Sequence, residues 1–394
     1  MIRKSDVQWW VLEAKKHPES AATIVEQLAE RLIELDHENE RLRDQLIRLQ
    51  RRAPATANRA EVTTLQRRVK ELQSRLGSTR STESALIFLS ERLQSACLPL
   101  SQARQMAEQG RPVLDQQALL AFKCLLLASP HQELLLLTNQ GRGFKLLQLE
   151  IPALGQDETA SEDGWPAVER TPETRPPASG ERLAAAVAVG EPLRFWTVAT
   201  RRGYVQRFVR VALDRGIERG MPLLKSPFRN DEPAAIVQGD RGDLLLITRW
   251  GKGVRFSQRV IEAQGSVALR LEPDDEVVAA LALPPGGKAR STEILVWTAS
   301  GRALRRDTAQ FAARSQPGGA GRTLIQAQDV LAAFPYPAGD GGRKTSLLCL
   351  TFSGQLDLFP LAEVPLQERA GRGTPLRDMR RDPAVAAALI PDRR

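Results

Sequence analysis

Five copies of one short string constrain this chain more than any other feature. "TNQGRGFKL" begins at Thr138, "TRRGYVQRF" at Thr200, "TRWGKGVRF" at Thr248, "TASGRALRR" at Thr298 and "TFSGQLDLF" at Thr351. Each closes an apolar run (ELLLLT, FWTVAT, DLLLIT, EILVWT, LLCLT) and opens a second short apolar or alternating stretch. Two extended runs joined by a glycine-bearing turn read as a β-hairpin. Gly141, Gly203, Gly251, Gly301 and Gly354 supply the positive φ that such turns need.

A second element recurs between the hairpins: FKCLLLAS from Phe122, AAAVAVG from Ala184, AAIVQGD from Ala234, VVAALALP from Val277, VLAAFPYP from Val330 and AVAAALIP from Ala384. These read as buried inner strands, so the unit is inner strand, hairpin, basic loop. The hairpin threonines after the first interval are 48 to 53 residues apart. A strand-built repeat near 50 residues points to radial blades and not to a helical solenoid. The expected fold class is therefore mainly β: a five-bladed, propeller-like wheel over 117–394. Six inner strands against five hairpins leave one strand over, which lets the chain end join a blade begun earlier and close the ring. Residues 155–182, acidic, Pro-rich and poor in apolar side chains, interrupt the first interval as an expected disordered insertion.

The N-terminal third reads as helical. After a helical segment over 1–20, a coiled coil over 21–78 is interrupted near 53–58, and 79–116 form a helical connector. From Val25 a seven-residue repeat places Leu28, Leu32, Leu35, Asn39, Leu42, Leu46 and Leu49 on one stripe. In a parallel in-register pair, Arg31 faces Asp36 and Glu38 faces Arg43, both attractive, while Asn39 specifies two strands. The reading is a parallel homodimer; the alternative is an amphipathic helix packed on a domain. Pro54 breaks the seam, which resumes in shifted phase at Val62, Leu65, Val69, Leu72 and Leu76. A third helix, Glu83–Leu98, is expected before Pro99. Trp9 and Trp10 are expected beneath this helical assembly.

Formal charge is +9. Residues 1–115 carry 19 basic and 16 acidic side chains, 116–182 carry 6 and 9, and the remainder carry 31 and 22. The excess therefore sits largely among the repeats. Lys145, Arg207, Arg255 and Arg305 occupy one place in four successive repeats, with Arg142, Arg201, Arg202, Arg249, Lys252, Arg302 and Arg306 in or near the turns. A ring puts equivalent positions on one rim, so these residues are expected to form a positive band. Such a band contacts phosphates and not base edges, giving salt-dependent binding with little sequence preference. The alternative is that the arginines solvate exposed turns. The fifth copy has Leu358 at the basic position and Asp357 beside it, which suits closure of the ring and leaves a gap in the band.

The segments "LLLASPHQELLLLTNQGRGFKLLQLEIPA", "ATRRGYVQRFVRVAL" and "ITRWGKGVRF" resemble blades of the gyrase-type C-terminal domain, found in the A protein of DNA gyrase and in its topoisomerase IV counterpart. The resemblance covers roughly 120–394 through the five phased copies. It implies a β-pinwheel, with strands exchanged between blades, whose basic rim binds and bends duplex DNA. Two departures stand out. The Q-R-R-G-G-K-G box that supports full wrapping has only weak echoes here, "RSQPGGAGR" (Arg314–Arg322) and "RAGRGT" (Arg369–Thr374). The helical region stands where the breakage–reunion half would be. Tyr204 and Tyr336, the two tyrosines, both lie inside the repeats, so no DNA-attacking nucleophile is evident.

Nothing else in the chain suggests catalysis. Cys97, Cys124, Cys349, His17, His37 and His131 are scattered, without dyad or metal spacing. "GDGGRKTS" (Gly339–Ser346) has Arg343 where a phosphate loop needs glycine. Asp274–Asp275 read as turn caps. No cofactor is expected, and no signal peptide or membrane span; free thiols fit a cytoplasmic, nucleoid-associated protein. The sequence thus points to a non-catalytic DNA-binding protein in nucleoid architecture or as a topoisomerase accessory. The alternatives are a protein-interaction scaffold, using the wheel or the stalk, and a fragment complementing a separate catalytic subunit.

Overall fold

The computed structural model describes residues 83–154 and 180–392, apart from 192, 225, 229, 285–291 and 338. The coiled-coil stripe from Leu28 to Leu49, Trp9 and Trp10, the second seam and most of the acidic insertion lie outside the described residues.

Six hairpins, not five, run through the described residues: β1–β2 (Ala85–Ser90, Ser95–Pro99), β4–β5 (Glu133–Thr138, Gly143–Leu147), β7–β8 (Phe195–Thr200, Tyr204–Val209), β10–β11 (Asp243–Thr248, Lys252–Ser257), β14–β15 (Glu293–Thr298, Arg302–Asp307) and β18–β19 (Thr345–Thr351, Leu356–Pro360). Inner strands β3 (Phe122–Ala128), β6 (Leu183–Ala188), β9 (Pro233–Gln238), β13 (Val277–Leu283), β17 (Val330–Pro335) and β21 (Ala384–Pro391) each pair antiparallel with the first strand of the hairpin before them. The unit is therefore hairpin then inner strand, the reverse of the order expected. The surplus inner strand β3 belongs to β1–β2. That hairpin occupies the segment read as a third helix, so the wheel begins at 85 and not at 117. Ala85–Ser90 is buried on both faces, and a continuous apolar run suits a buried strand and a buried helix equally. Among the described residues of the expected connector, α1 (Leu100–Gln109) is helical, and α2 (Gln116–Ala121) starts at the connector's last residue.

The first hairpin escapes the repeat pattern because its turn is Ser90-Glu91-Arg92-Leu93. Leu93 takes φ +64, where the other five turns use glycine. Ser90 does the work of threonine. In all six turns the hydroxyl oxygen accepts the backbone N–H four residues on, at 3.0–3.3 Å.

After each hairpin the chain makes an excursion onto the preceding blade before returning as the inner strand. Short straps β12 (Ser266–Val267), β16 (Arg322–Thr323) and β20 (Thr374–Pro375) add a fourth, outermost strand to the third, fourth and fifth blades. Helix α3 (Arg210–Glu218) runs beside β5 of the second blade, and α1 lies on β19 of the sixth. The first blade's excursion thus reaches the last blade: the Val113 N–H donates to Gly354 O at 2.7 Å and Pro112 bridges to Gln355.

Inner strands adjoin in the cycle β3–β6–β9–β13–β17–β21–β3. Two to four alanines in each of these strands except β3 let the backbones converge near one axis. An apolar cluster fills each of the six seams; the closing one joins Leu86 and Phe88 to Leu348, Leu350, Leu356 and Ile390. No blade buries both its faces alone, so the ring folds as one body.

Candidate nucleic-acid interface

The four basic residues in phase do occupy equivalent places, midway along β5, β8, β11 and β15, but their charged heads are engaged by their own chain. Lys145 pairs with Glu133 (3.4 Å) and with Asp214 of α3 (3.0 Å). Arg207 donates to Gln258 O (3.2 Å) and Asp240 O (3.0 Å) and stacks on Phe195 at 3.9 Å. Arg255 is 9% exposed, bonded to Asp243 Oδ2 and Thr308 O at 2.7 Å each. Arg305 pairs with Glu293 and lies 3.9 Å over the Tyr336 ring. Lys145, Arg207 and Arg255 each reach elements belonging to the following blade, so these positions act as staples across seams. The seam supplies orphan carbonyls and carboxylates, and a cation midway along the second strand satisfies them. Leu358, the fifth equivalent, packs in the apolar cluster that closes the ring.

The turn residues are similarly committed. Arg142 is 8% exposed and pairs at 2.7 Å with Glu181, which is itself buried; the expected disordered insertion therefore ends before Glu181. Arg306, also 8% exposed, donates to Leu324 O at 3.1 Å. Arg302 donates to Arg372 O (2.7 Å) and Gly373 O (2.9 Å), and Lys252 pairs with Glu272. Arg201 and Arg249 belong to a ladder, Glu91–Arg182–Glu232–Arg201–Glu276–Arg249, that links neighbouring blades on the turn face. Lys123 lies close enough to it that burial first, and then the charge of Arg201, lowers its pKa. Of the eleven candidates, Arg202 is exposed with no side-chain partner among the described residues.

Other exposed arginines carry no ion pair among the described residues, some scattered over the ring, such as Arg111, Arg241, Arg259 and Arg381, and one group gathered on the straps. Arg270, Arg322, Arg369 and Arg372 are exposed and have no ion pair among the described residues; half-buried Arg314 has none either. All five lie on the straps or their approaches, along the outer edges of the third, fourth and fifth blades. The straps are stitched into a belt: Arg270 N donates to Gly319 O, and Gln326 N to Gly371 O, both at 2.8 Å. Sequence reasoning met two of these segments only as "RSQPGGAGR" and "RAGRGT". The readable signal is a positive-φ glycine three residues before an apolar residue: Gly265 before buried Ala268, Gly321 before buried Leu324 and Gly373 before half-buried Leu376.

With the six-bladed ring and its exchanged straps in view, the similarities become interpretable. A family model for the DNA gyrase C-terminal domain, a beta-propeller, matches residues 132–157, 242–284 and 346–391, in the second, fourth and sixth blades. The solved structure of a DNA gyrase A C-terminal domain superposes with TM-score 0.61 at 16% identity, over 78% of this chain and 100% of that one. The C-terminal domain of a DNA topoisomerase IV gives 0.53 at 14%, over 79% and 95%. The ring shares the β-pinwheel fold of the DNA gyrase A C-terminal domain. The gyrase A protein of Deinococcus deserti is 26% identical over 272 residues, 66% of this chain and 32% of that protein. The gyrase A protein of Staphylococcus aureus is 26% identical over 306 residues, 75% and 33%. The chain spans about a third of the length of these curated relatives.

Other chemistry in the pinwheel is sparse. Tyr204 and Tyr336 are buried, their hydroxyls bonded to Gln264 O and Leu361 O. Gly339–Lys344 is a short 3-10 turn leading into β18, whereas a phosphate loop follows a strand and opens a helix. Asp275 is a buried turn cap, accepting the Trp250 N–H at 3.0 Å. Burial pushes the Cys97 and Cys124 thiols up to about 11 and about 12. Among the described residues no cluster of metal-ligating side chains occurs, and no helix is long and apolar enough to cross a membrane.

Proposed function

We propose that this pinwheel binds duplex DNA without catalysis, along the strap belt. One observation carries the reading: Arg270, Arg314, Arg322, Arg369 and Arg372 lie on three consecutive outer edges and make no ion pair among the described residues. Cations without ion pairs in an arc, four of them exposed, suit a polyanion that follows the ring, and phosphate contacts of this kind are salt-dependent and indifferent to sequence. Successive blades of a six-bladed ring turn by about 60°, so a duplex touching all three edges bends, at an elastic cost that its contacts must offset. The gyrase-type fold supports the same reading. The seven-residue repeat from Leu28 to Leu49 would pair two rings, raising avidity through a second binding event on the same DNA. Such a dimer suits a nucleoid-architectural role or a topoisomerase accessory.

The test is a titration of the full chain against unrelated labelled duplexes at several salt concentrations. Replacing Arg270, Arg322, Arg369 and Arg372 together by Gln should weaken binding to every duplex alike and flatten the log–log salt slope by about 3 to 4 units. A wild-type chain that ignores DNA at low salt would overturn the proposal.

A further inference from the structure

We infer that the turn face of the closing seam, between the sixth and first blades, is a docking surface for a short acidic segment of a partner protein, anchored there by one large apolar side chain. Its centre is Leu120 and Phe352. Among the described residues these are the first and third most exposed of the large apolar side chains, at 81% and 55%. Single exposed leucines are ordinary on a protein surface, but these two border one turn. Phe352 is the second residue of the sixth hairpin's turn, between Thr351 and Gly354. Leu120 lies on α2 directly after Leu119, whose Cδ1 stands 3.4 Å from the place that a Cβ on Gly354 would take.

On this face the closing seam differs from the other five. In four of them the turn residue equivalent to Phe352 accepts the first N–H of the next blade's inner strand. Leu183 N donates to Glu91 O at 2.7 Å, Val277 N to Arg201 O at 2.9 Å, Val330 N to Arg249 O at 3.0 Å and Ala384 N to Ala299 O at 2.9 Å. In the fifth, the inner strand begins with Pro233, which has no N–H to give. In the closing seam Phe122 N turns back to Leu119 O, and Phe352 O takes no hydrogen bond among the described residues. The ion ladder also stops short of this seam: where Glu91, Arg201 and Arg249 stand in their turns, the sixth turn has a phenyl ring.

The rim of the patch is cationic. Arg111 precedes Pro112, which bridges to Gln355, and Arg381 precedes Asp382, whose carboxylate takes the Ser353 N–H at 2.7 Å. Both arginines are exposed and make no ion pair among the described residues. The carboxylates nearby are engaged: Asp115 accepts the Ala118 N–H at 2.7 Å, Asp378 pairs with Arg380, and Asp382 also takes the Ser353 hydroxyl. An apolar centre, an acceptor carbonyl and unpaired cations at the edge complement an acidic peptide that brings one apolar anchor and one backbone N–H. A phosphate backbone gains nothing from the two apolar side chains or from the carbonyl. A second copy would bring the same patch, setting Arg111 and Arg381 against like charges.

The experiment titrates the full chain against a short labelled peptide with one tryptophan among glutamates and aspartates, read by fluorescence anisotropy. The wild type should bind it, and the same peptide with serine for tryptophan should bind about tenfold more weakly, as loss of one buried anchor implies. Leu120→Ser combined with Phe352→Ser should show the same loss. Arg111→Gln combined with Arg381→Gln should show about a threefold loss, the size of a rim contact. The belt variant, with Arg270, Arg322, Arg369 and Arg372 changed to Gln, should bind the peptide as wild type does, which keeps this surface separate from the DNA-binding reading. Every variant should melt like wild type. Should Phe352→Ser melt early, Leu120→Ser decides alone, since its side chain is 81% exposed. A peptide that fails to bind, or that binds the serine variants like wild type, overturns the proposal. So does a loss confined to the belt variant, which would mark the peptide as a stand-in for DNA. Self-association that the serine variants abolish would overturn it in favour of a second copy.

Discussion

Arg255 shows how the position of a residue can be legible in the sequence when its surroundings are not. Its phase with Lys145, Arg207 and Arg305 is plain in the sequence, and the structure does place the four at equivalent points. What the sequence does not display is the seam beside them. There Thr308 O and the Asp243 carboxylate lie within 2.7 Å of a side chain only 9% exposed. The two readings predict different losses. If Arg255 is a staple, Arg255→Met strands a buried carboxylate and destabilises the ring by about 3–5 kcal/mol, measured by denaturant unfolding. The paired change with Asp243→Leu should recover most of that. A free phosphate ligand would instead leave stability within about 0.5 kcal/mol and lower the DNA salt slope by about one unit.

At the scale of the element, the hairpin turn was legible wherever Thr and Gly were both present, because each has a job that few residues share. The threonine hydroxyl closes the turn, and the glycine supplies positive φ while leaving room for the next strap. A Cβ on Gly203, Gly251, Gly301 or Gly354 would stand 2.0–2.4 Å from a carbonyl oxygen of Leu269, Ile325, Arg377 or Leu114 respectively. The turn of the first hairpin was illegible because Ser90 and Leu93 perform the same tasks with other side chains, Leu93 at the expense of φ +64. The straps were illegible for another reason: two-residue strands are too short for any periodicity, and their pairing partners lie in the preceding blade. Gly251→Ala separates backbone strain from strap packing when set beside Gly110→Ala. Both positions have positive φ, +71 and +61, but Gly110 has nothing within 4 Å of its missing Cβ. Gly110→Ala should therefore cost about 1 kcal/mol and Gly251→Ala a further 1–3 kcal/mol, read as the difference in unfolding free energy.

For the whole molecule, the decisive question is where the ring closes. The count of six inner strands was right, and it held the answer: each inner strand needs a hairpin, so the unpaired one pointed to a hairpin that the turn pattern had missed. Closure does not come from a trailing strand at the C-terminal end. It comes from the first blade, whose hairpin covers Leu348, Leu350, Leu356 and Ile390 and whose excursion docks Val113 on Gly354. Two truncations distinguish this from a five-bladed wheel beginning at 117. A chain starting at residue 80 keeps β1 and β2 and should give one cooperative melting transition as a soluble monomer. A chain starting at 117 keeps every hairpin that the repeat pattern shows, yet bares the apolar side of the sixth blade. Four large side chains there, each worth roughly 1.5–3 kcal/mol when buried, would face water, together with the open edge of β3. That chain should melt well below the longer one, bind hydrophobic dye and associate through the bared seam. A cooperative, monomeric product from residue 117 would mean that five blades close without the first.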